Sequence, residues 1–247
     1  MIENNHRYVA LDVFRGLAIG LMILVNTPGD WGSVYSPLLH SEWEGLTPTD
    51  LVFPFFLYIV GASIFFAFRE QGFLMSKPTM TKVLRRFLIL FALGLALNCY
   101  NAYLLNQPNV RVMGVLQRIS ICYLLGTILI FLCKTRALYA ICILALIGYN
   151  LLFVLFGGDE PYSLDRNILA LVDSFFLGEE RMWKINGTSF EPEGLLSSIP
   201  ATVTLIFGFE SARRLSSYSE PCKALYRLMV WGGCAYPLGI ILLSICR

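Results

Sequence analysis

Hydrophobic positions in this chain fall in long blocks separated by polar connections. Each block approaches the roughly 20 apolar residues that a helix needs to cross a bilayer. About seven such windows can be drawn, near 9–27, 50–69, 87–105, 113–133, 137–157, 195–212 and 226–246. No stretch is left for a soluble domain. The pattern therefore predicts an all-α polytopic membrane protein, a bundle of about seven transmembrane helices forming one domain over 1–247, with one long connection at 158–194. Composition agrees: of 247 residues 56% are hydrophobic and 15% charged, against roughly a quarter charged in soluble domains, and the mean hydropathy is +0.64.

The net charge of +2 says little about partners, and no nucleic-acid partner is expected. The placement of the charges says more, because Lys and Arg gather in cytoplasmic connections. Arg69, Lys77, Lys82, Arg85 and Arg86 follow the second window, Lys134 and Arg136 the fourth, and Arg213, Arg214, Lys223 and Arg227 the sixth. The first connection, by contrast, has no Lys or Arg and carries Asp30, Glu42 and Glu44. In 158–194 three basic residues face eight acidic ones: Asp159, Glu160, Asp165, Asp173, Glu179, Glu180, Glu191 and Glu193. These two connections are expected outside and the amino terminus in the cytoplasm. The first window holds Asp12 and Arg15 and lacks a small-residue cleavage site, so it is expected to stay as a span. The odd set of seven cysteines, without CxxC spacing, reads as small packing residues, neither a disulfide framework nor a metal site.

Charged and polar residues inside apolar windows are costly and point to function. Asp12 and Arg15 lie three apart, on one helical face, and can pair; Arg15 could instead meet an anion such as phosphate. Gly16 and Gly20 would let a neighbouring helix approach closely. Asn26 sits in the last turn of the first window, suited either to an interhelical hydrogen bond or to a site. His40, one of two histidines beside His6, lies in the first connection, where Trp43 could supply an apolar wall. Thr47, Pro48 and Asp50 form a good helix start, with the threonine oxygen and the carboxylate satisfying free backbone donors. If the Asp50 carboxylate reaches the His40 imidazole instead, it fixes the tautomer and supports its basicity. Pro54 should kink its span. Arg118, with Gln117 beside it, lies too deep in an apolar helix for loop charge bias to explain; it calls for an anionic partner such as Asp50, a loop carboxylate or a bound phosphate. The long connection has the acidic and aromatic content of a lid, and Asn186-Gly187-Thr188 is a glycosylation sequon. Glu210 with Arg213 and Arg214 reads as a helix-end ion pair. No P-loop, Rossmann, HExxH or GxSxG pattern occurs.

The stretches Leu11-Asp12-Val13-Phe14-Arg15-Gly16, Val25-Asn26, His40-Ser41-Glu42-Trp43-Glu44-Gly45-Leu46-Thr47, Asp50-Leu51-Val52-Phe53-Pro54-Phe55, Gly114-Val115-Leu116-Gln117-Arg118 and Pro192-Glu193-Gly194-Leu195-Leu196-Ser197 resemble, in the same order, the heparan-α-glucosaminide N-acetyltransferase family and its bacterial relatives. The resemblance implies a transmembrane enzyme that takes an acetyl group from cytoplasmic acetyl-CoA to the amine of a glucosamine-type sugar or glycan on the far side. It makes His40 the active-site histidine and Asn26 the asparagine beside it; Asp50 joins them on the residue argument above. Arg15, Arg118 and Gln117 are candidates for holding the CoA phosphates, and no metal is implied. Direct transfer and an acetyl-histidine intermediate both remain open. Family members tend to be longer, so a chain short at its carboxyl end is expected. A bacterial inner membrane is the expected location, and a homo-oligomer is left open. A transporter or flippase using His40 as part of a proton path, or a membrane subunit without catalysis, are the rival readings.

Overall fold

The computed structural model describes residues 9–218, except 42, 44, 158–161, 165, 166 and 186, together with 226, 227 and 230. His6, the sequon asparagine Asn186, Lys223, three cysteines (Cys222, Cys234, Cys246) and all but three residues of the last apolar window lie outside the described residues. So do the loop residues Glu42, Glu44, Asp159, Glu160, Asp165 and Arg166.

The described chain is mostly helical, with seven α-helices: α1 (Val9–Asn26), α2 (Val52–Phe68), α3 (Lys77–Leu104), α4 (Val115–Leu132), α5 (Thr135–Phe156), α6 (Ile168–Leu177) and α7 (Ser198–Ser216). Six of these fall in the apolar windows. The seventh, α6, is a ten-residue helix inside the 158–194 connection. Four segments are long and apolar enough to cross a membrane: Pro48–Gln71, which contains α2, together with α3, α4 and α5. The fold is not purely helical. Two short strands, β1 (Trp183–Ile185) and β2 (Thr188–Phe190), pair antiparallel with Trp183 opposite Phe190. With α6 they give the long connection its own structure.

α7 is the helix around which the others pack. It lies against α2 along its length and also touches α4 and α5. Leu57, Ile64 and Phe65 of α2, Cys122 of α4 and Leu205 and Phe209 of α7 are buried together there. Backbone contact between α2 and α7 is possible because two glycines face it. A Cβ on Gly61 would overlap the Leu205 carbonyl oxygen, and one on Gly208 the Tyr58 carbonyl oxygen. Small residues permit such approach where bulkier ones keep axes 8–10 Å apart. The close-packing role expected for Gly16 and Gly20 is not observed among the described residues: a Cβ on either would meet nothing of them within 4 Å. On the outside, α3 exposes Leu84, Leu88, Leu93 and Leu97, and α5 exposes Ile143, Leu144, Ile147 and Leu151. Apolar faces of this extent are what a hydrocarbon environment covers.

Contacts sort the connections between two ends. At one end Trp43 meets Tyr162 and Phe190, Asn109 meets Glu180, and Arg111 meets Glu191. This brings together the connections that follow α1, α3 and α5. At the other end Arg213 meets Thr135, and Phe73 packs on Phe131 and Phe209. Pro54 lies in the first turn of α2, where its missing N–H forfeits nothing. The interior kink expected of it is replaced by a 3-10 turn at Pro48–Leu51 that leads into the helix.

Candidate active site

The start of α2 builds the first part of the site. Asp50 stands at the third position of the 3-10 turn, and its two carboxylate oxygens do different work. Oδ2 accepts from the Thr47 backbone N–H (2.9 Å), the Thr47 hydroxyl (3.0 Å), the Ser41 hydroxyl (3.1 Å) and the Ser41 N–H (3.4 Å). Oδ1 lies 2.7 Å from His40 Nδ1. The two readings open for Asp50 in the sequence are therefore both realised, one on each oxygen. With a carboxylate as its partner Nδ1 carries the hydrogen, so the lone pair sits on Nε2. The His40 side chain is 62% exposed and that of Asp50 21%. The imidazole is thus presented outward while anchored at one nitrogen. This arrangement can take a proton from an incoming amine or carry an acyl group.

Asn26 ends α1 at the same end. Its Nδ2 donates to the Met22 carbonyl of its own helix (2.9 Å), and among the described residues it makes no hydrogen bond to His40. Trp43 is less a wall than a tie: its indole N–H donates to the Tyr162 carbonyl (2.7 Å) and its ring meets Phe190 edge-on at 4.9 Å. The loop that carries His40 is thereby fastened to the β-hairpin.

The residues proposed for CoA do not come together. Arg15 pairs with Asp12 at 3.3 Å, as the three-residue spacing predicts, and donates to Ser63 of α2 (2.8 Å). Arg118 instead sits over the Phe53 ring at 4.9 Å and donates to the carbonyls of Pro192 (3.1 Å) and Ser197 (2.9 Å). Phe53 and Ser63 are ten residues apart on α2, about 15 Å of helix rise. The carboxylate hydrogen bond expected for Arg118 is not formed among the described residues; two backbone carbonyls take its place and stitch α4 to the end of the long connection. Gln117 is 1% exposed and wedged against Gly94 of α3, where a side chain on that residue would collide with its amide. It reads as packing.

Arg15 does line a cavity. A space of about 410 Å³ opens between α1, α2, α3 and α4, bordered by Arg15, Ser63, Arg86 and Tyr123 among apolar neighbours. Tyr123 is buried, with its hydroxyl beside Arg86. Two guanidinium-bearing residues and a tyrosine hydroxyl around an apolar slot suit a phosphorylated ligand with a slender arm. The lining on α2 runs from Ile64 to Phe56, and Phe56 is six residues, or about 9 Å of rise, from Asp50.

A charged clamp closes the His40 end. Arg111 donates from Nε to Glu191 (3.0 Å) and from its terminal nitrogen to both Glu191 and Glu193. Burial pushes the Glu191 carboxyl up, against the pull of Arg111. Asp173 of α6 is 1% exposed; Oδ1 accepts from the Leu195 N–H (2.9 Å), and Oδ2 has no hydrogen-bond partner among the described residues. Burial raises its pKa from 3.8 to about 6. In the sequence these carboxylates read only as loop charge, since nothing local marks a side chain buried by a distant segment. Among the described residues no three His, Cys, Asp or Glu side chains cluster as metal ligands.

A family model described as heparan-alpha-glucosaminide N-acetyltransferase, catalytic, matches residues 7–163. The chain belongs to this family. The match takes in α1 to α5 and with them His40, Asp50 and the Arg15 cavity. Two similar proteins carry the name heparan-alpha-glucosaminide N-acetyltransferase. The one from Mus musculus is 36% identical over 133 residues, covering 52% of this chain and 20% of its own. The one from Homo sapiens is 26% identical over 275 residues, covering 91% of this chain and 41% of its own. This N-acetyltransferase-family chain thus spans well under half the length of these relatives.

Proposed function

We propose that this chain is the acetyl-transferring part of an integral membrane enzyme, moving an acetyl group from acetyl-CoA to the amine of a glucosamine-type sugar. The observation that carries the reading is the His40–Asp50 pair at 2.7 Å, inside the segment that matches an N-acetyltransferase family. The names of the relatives suggest the acceptor class, a glucosaminide amine. The positive charge of the connections supports an orientation with the amino terminus and the Arg15 cavity on the cytoplasmic side and His40 on the opposite face.

In this reading acetyl-CoA lies with its phosphates toward Arg15 and Arg86 and its arm along the apolar slot toward Phe56. The acceptor reacts as its neutral amine, its ammonium proton having been lost to solvent. The nitrogen attacks the thioester carbonyl while His40 Nε2 takes the proton the nitrogen gives up, the C–S bond breaks, and the CoA sulfur leaves with that proton returned from the imidazolium. Asp50 holds the ring so that Nε2 is the base, and such positioned bases contribute roughly 10²–10⁴-fold. Asn26 stands at the same end, where its amide can reorient from Met22 toward the developing oxyanion.

The test is transfer of radiolabel from acetyl-CoA to glucosamine by the purified protein. Labelled N-acetyl product is expected from the wild type and a loss of at least about 100-fold from His40→Ala. Arg15→Gln and Arg86→Gln are expected to raise the KM for acetyl-CoA and leave the acceptor KM in place. Absence of both product and acetyl-CoA binding in the wild type would overturn the reading in favour of a transporter or a subunit without catalysis.

A further inference from the structure

α6 has the reverse of the pattern that a water-facing helix carries. Its one charged residue, Asp173, is buried with Leu169, while Leu171 and Phe175 lie on the opposite side and Phe176 follows. Phe175 is 82% exposed and Phe176 67%. A helix on a water surface turns its charged residues out and its apolar ones in. The contacts of the buried side set the depth at which α6 lies. Asp173 accepts from the Leu195 N–H (2.9 Å), and a Cβ on Gly194 would overlap its carboxylate, just before α7 begins at Ser198. Arg118, in the first turn of α4, donates to the Ser197 carbonyl in the same segment (2.9 Å). α6 therefore lies level with the start of α4, one of the helices long and apolar enough to cross a membrane. In a bilayer that level is the boundary between acyl chains and headgroups.

Beyond α6 the chain enters the turn Glu179–Arg181 and strand β1, which form one wall of a cleft of about 920 Å³. The outer end of α3 and the connection after it form the other, and Asn109 joins the two walls through Glu180 (3.1 Å). The surroundings of this cleft change in order along α3. Toward the middle of the helix, Leu97 stands one turn from the lining residue Asn101 and Leu93 one turn further, both exposed, so an apolar track leads away from the cleft. At the rim Tyr100, Tyr103 and Trp183 are exposed, rings of the kind that gather where membrane meets water. The Arg111 guanidinium holds the Trp183 ring, 5.6 Å from its centroid. On the far side are the charges. Arg111 is neutralised by Glu191 and Glu193, whereas Arg181 and Lys184 have no acidic partner among the described residues. Against these two cations the lining sets one carboxylate, Glu180, which takes the Asn109 amide. The amides of Asn101 and Gln107 make no hydrogen bond among the described residues and can donate to an ester or phosphate oxygen.

We propose that this cleft holds the headgroup of an anionic phospholipid from the leaflet on the His40 side. Its phosphate lies at Arg181 and Lys184, its acyl chains run down Leu97 and Leu93, and the Leu171 and Phe175 side of α6 is sunk into the same leaflet. An apolar track, an aromatic rim and a cationic end follow the order of a lipid's own parts. A soluble anion would use only the last of them. The placement also accounts for the outward face of α6, since an interfacial helix buries its apolar side among headgroups and acyl chains. The proposal rests on the reading above for membrane placement alone and is independent of acetyl transfer.

The experiment is quenching of Trp183 fluorescence by brominated lipids, with the purified full chain in phosphatidylcholine nanodiscs. The Trp183 signal is the difference between wild type and Trp183→Phe. The probes are phosphatidylglycerol and phosphatidylcholine, each brominated on the acyl chain near the headgroup and added as a minor component. Half-quenching is expected at a mole fraction about ten-fold lower for the anionic lipid, from two basic residues near the phosphate. Arg181→Gln/Lys184→Gln should bring the two lipids together, and Phe175→Trp in the Trp183→Phe background should be quenched by both. Equal quenching of Trp183 by the two lipids, or a preference that the double substitution leaves in place, would overturn the proposal. Recovery of the fluorescence on adding inorganic phosphate would also overturn it, in favour of a free-anion site. So would shielding of both tryptophans from either lipid, which would mean that a second copy or another protein covers this face. Leu93→Trp in the same background separates the proposal from the reading it rests on. Quenching there without quenching of Trp183 sinks this proposal alone, and no quenching at either position sinks the membrane placement with it.

Discussion

One carboxylate ties the chemistry of this protein to its local folding. Asp50 receives Thr47 and Ser41 on one oxygen and His40 on the other, so a substitution there has two separable effects. Asp50→Asn keeps an acceptor for the loop donors but places an NH₂ or an uncharged oxygen against Nδ1. Acetyl transfer is expected to fall by about 10²–10³-fold, while thermal stability falls by no more than about 1 kcal/mol, measured by activity and melting on the same sample. Asp50→Ala should lose both. The Asp50 pairing was legible in the sequence because cap and candidate base lie ten residues apart in one short stretch. Asp173 was not, because its burial comes from Gly194 and Leu195, more than 20 positions away. Its raised pKa has a definite consequence. Since the folded-state value of about 6 lies above 3.8, the folded protein holds this proton more tightly than the unfolded chain, and the stability it contributes declines as pH rises through that window and stays lost above it. Asp173→Asn, which keeps an acceptor for the Leu195 N–H, is expected to stabilise the protein at pH 7 by on the order of 2 kcal/mol. The gain should vanish below about pH 4. A melting temperature that is unchanged or lower at pH 7 would contradict this.

Apolar blocks located α1 to α5 and α7 well, because hydrophobic length is a signal that survives without knowledge of partners. Which helix lies inside was not readable from the same signal. α3 and α7 are comparable as apolar blocks, yet α7 is packed between α2, α4 and α5 while α3 keeps a row of leucines outward. The glycines show why: spacing pointed to Gly16 and Gly20, whereas the contact is made at Gly61 and Gly208, on helices more than 130 positions apart. Gly61→Ala and Gly208→Ala force a methyl into backbone and are expected to cost more than about 3 kcal/mol, at the upper end of overpacking effects. Gly16→Ala and Gly20→Ala meet open space and should be neutral or stabilising by up to about 1 kcal/mol, since alanine is the better helix former. Melting in detergent on the four variants separates the two pairs. The hairpin was missed for a different reason. Asn186-Gly187 is the commonest two-residue hairpin signal, and Gly187 has the positive φ of 88° such a turn uses, but the flanking strands are three residues each and carry no alternation long enough to detect.

Seen whole, the molecule has a basic end and an acidic, aromatic end, separated by helices long enough to cross a bilayer. In a background without cysteines, Ser36→Cys and Lys82→Cys are expected to react with a membrane-impermeant maleimide from opposite sides of sealed vesicles. Labelling of both from one side would refute the orientation. The central position of α7 also bears on how the protein is made. A ribosome delivers α2 and α4 long before α7, so the faces of these two helices that α7 covers, Gly61 among them, must wait unfilled until about two hundred residues have been synthesised. Such late closure of early segments is the situation in which partly built chains mispair. Chains stalled or truncated before Ser198 should accordingly be cleared by quality-control proteases, even though every partner that fastens the His40 loop has by then been made.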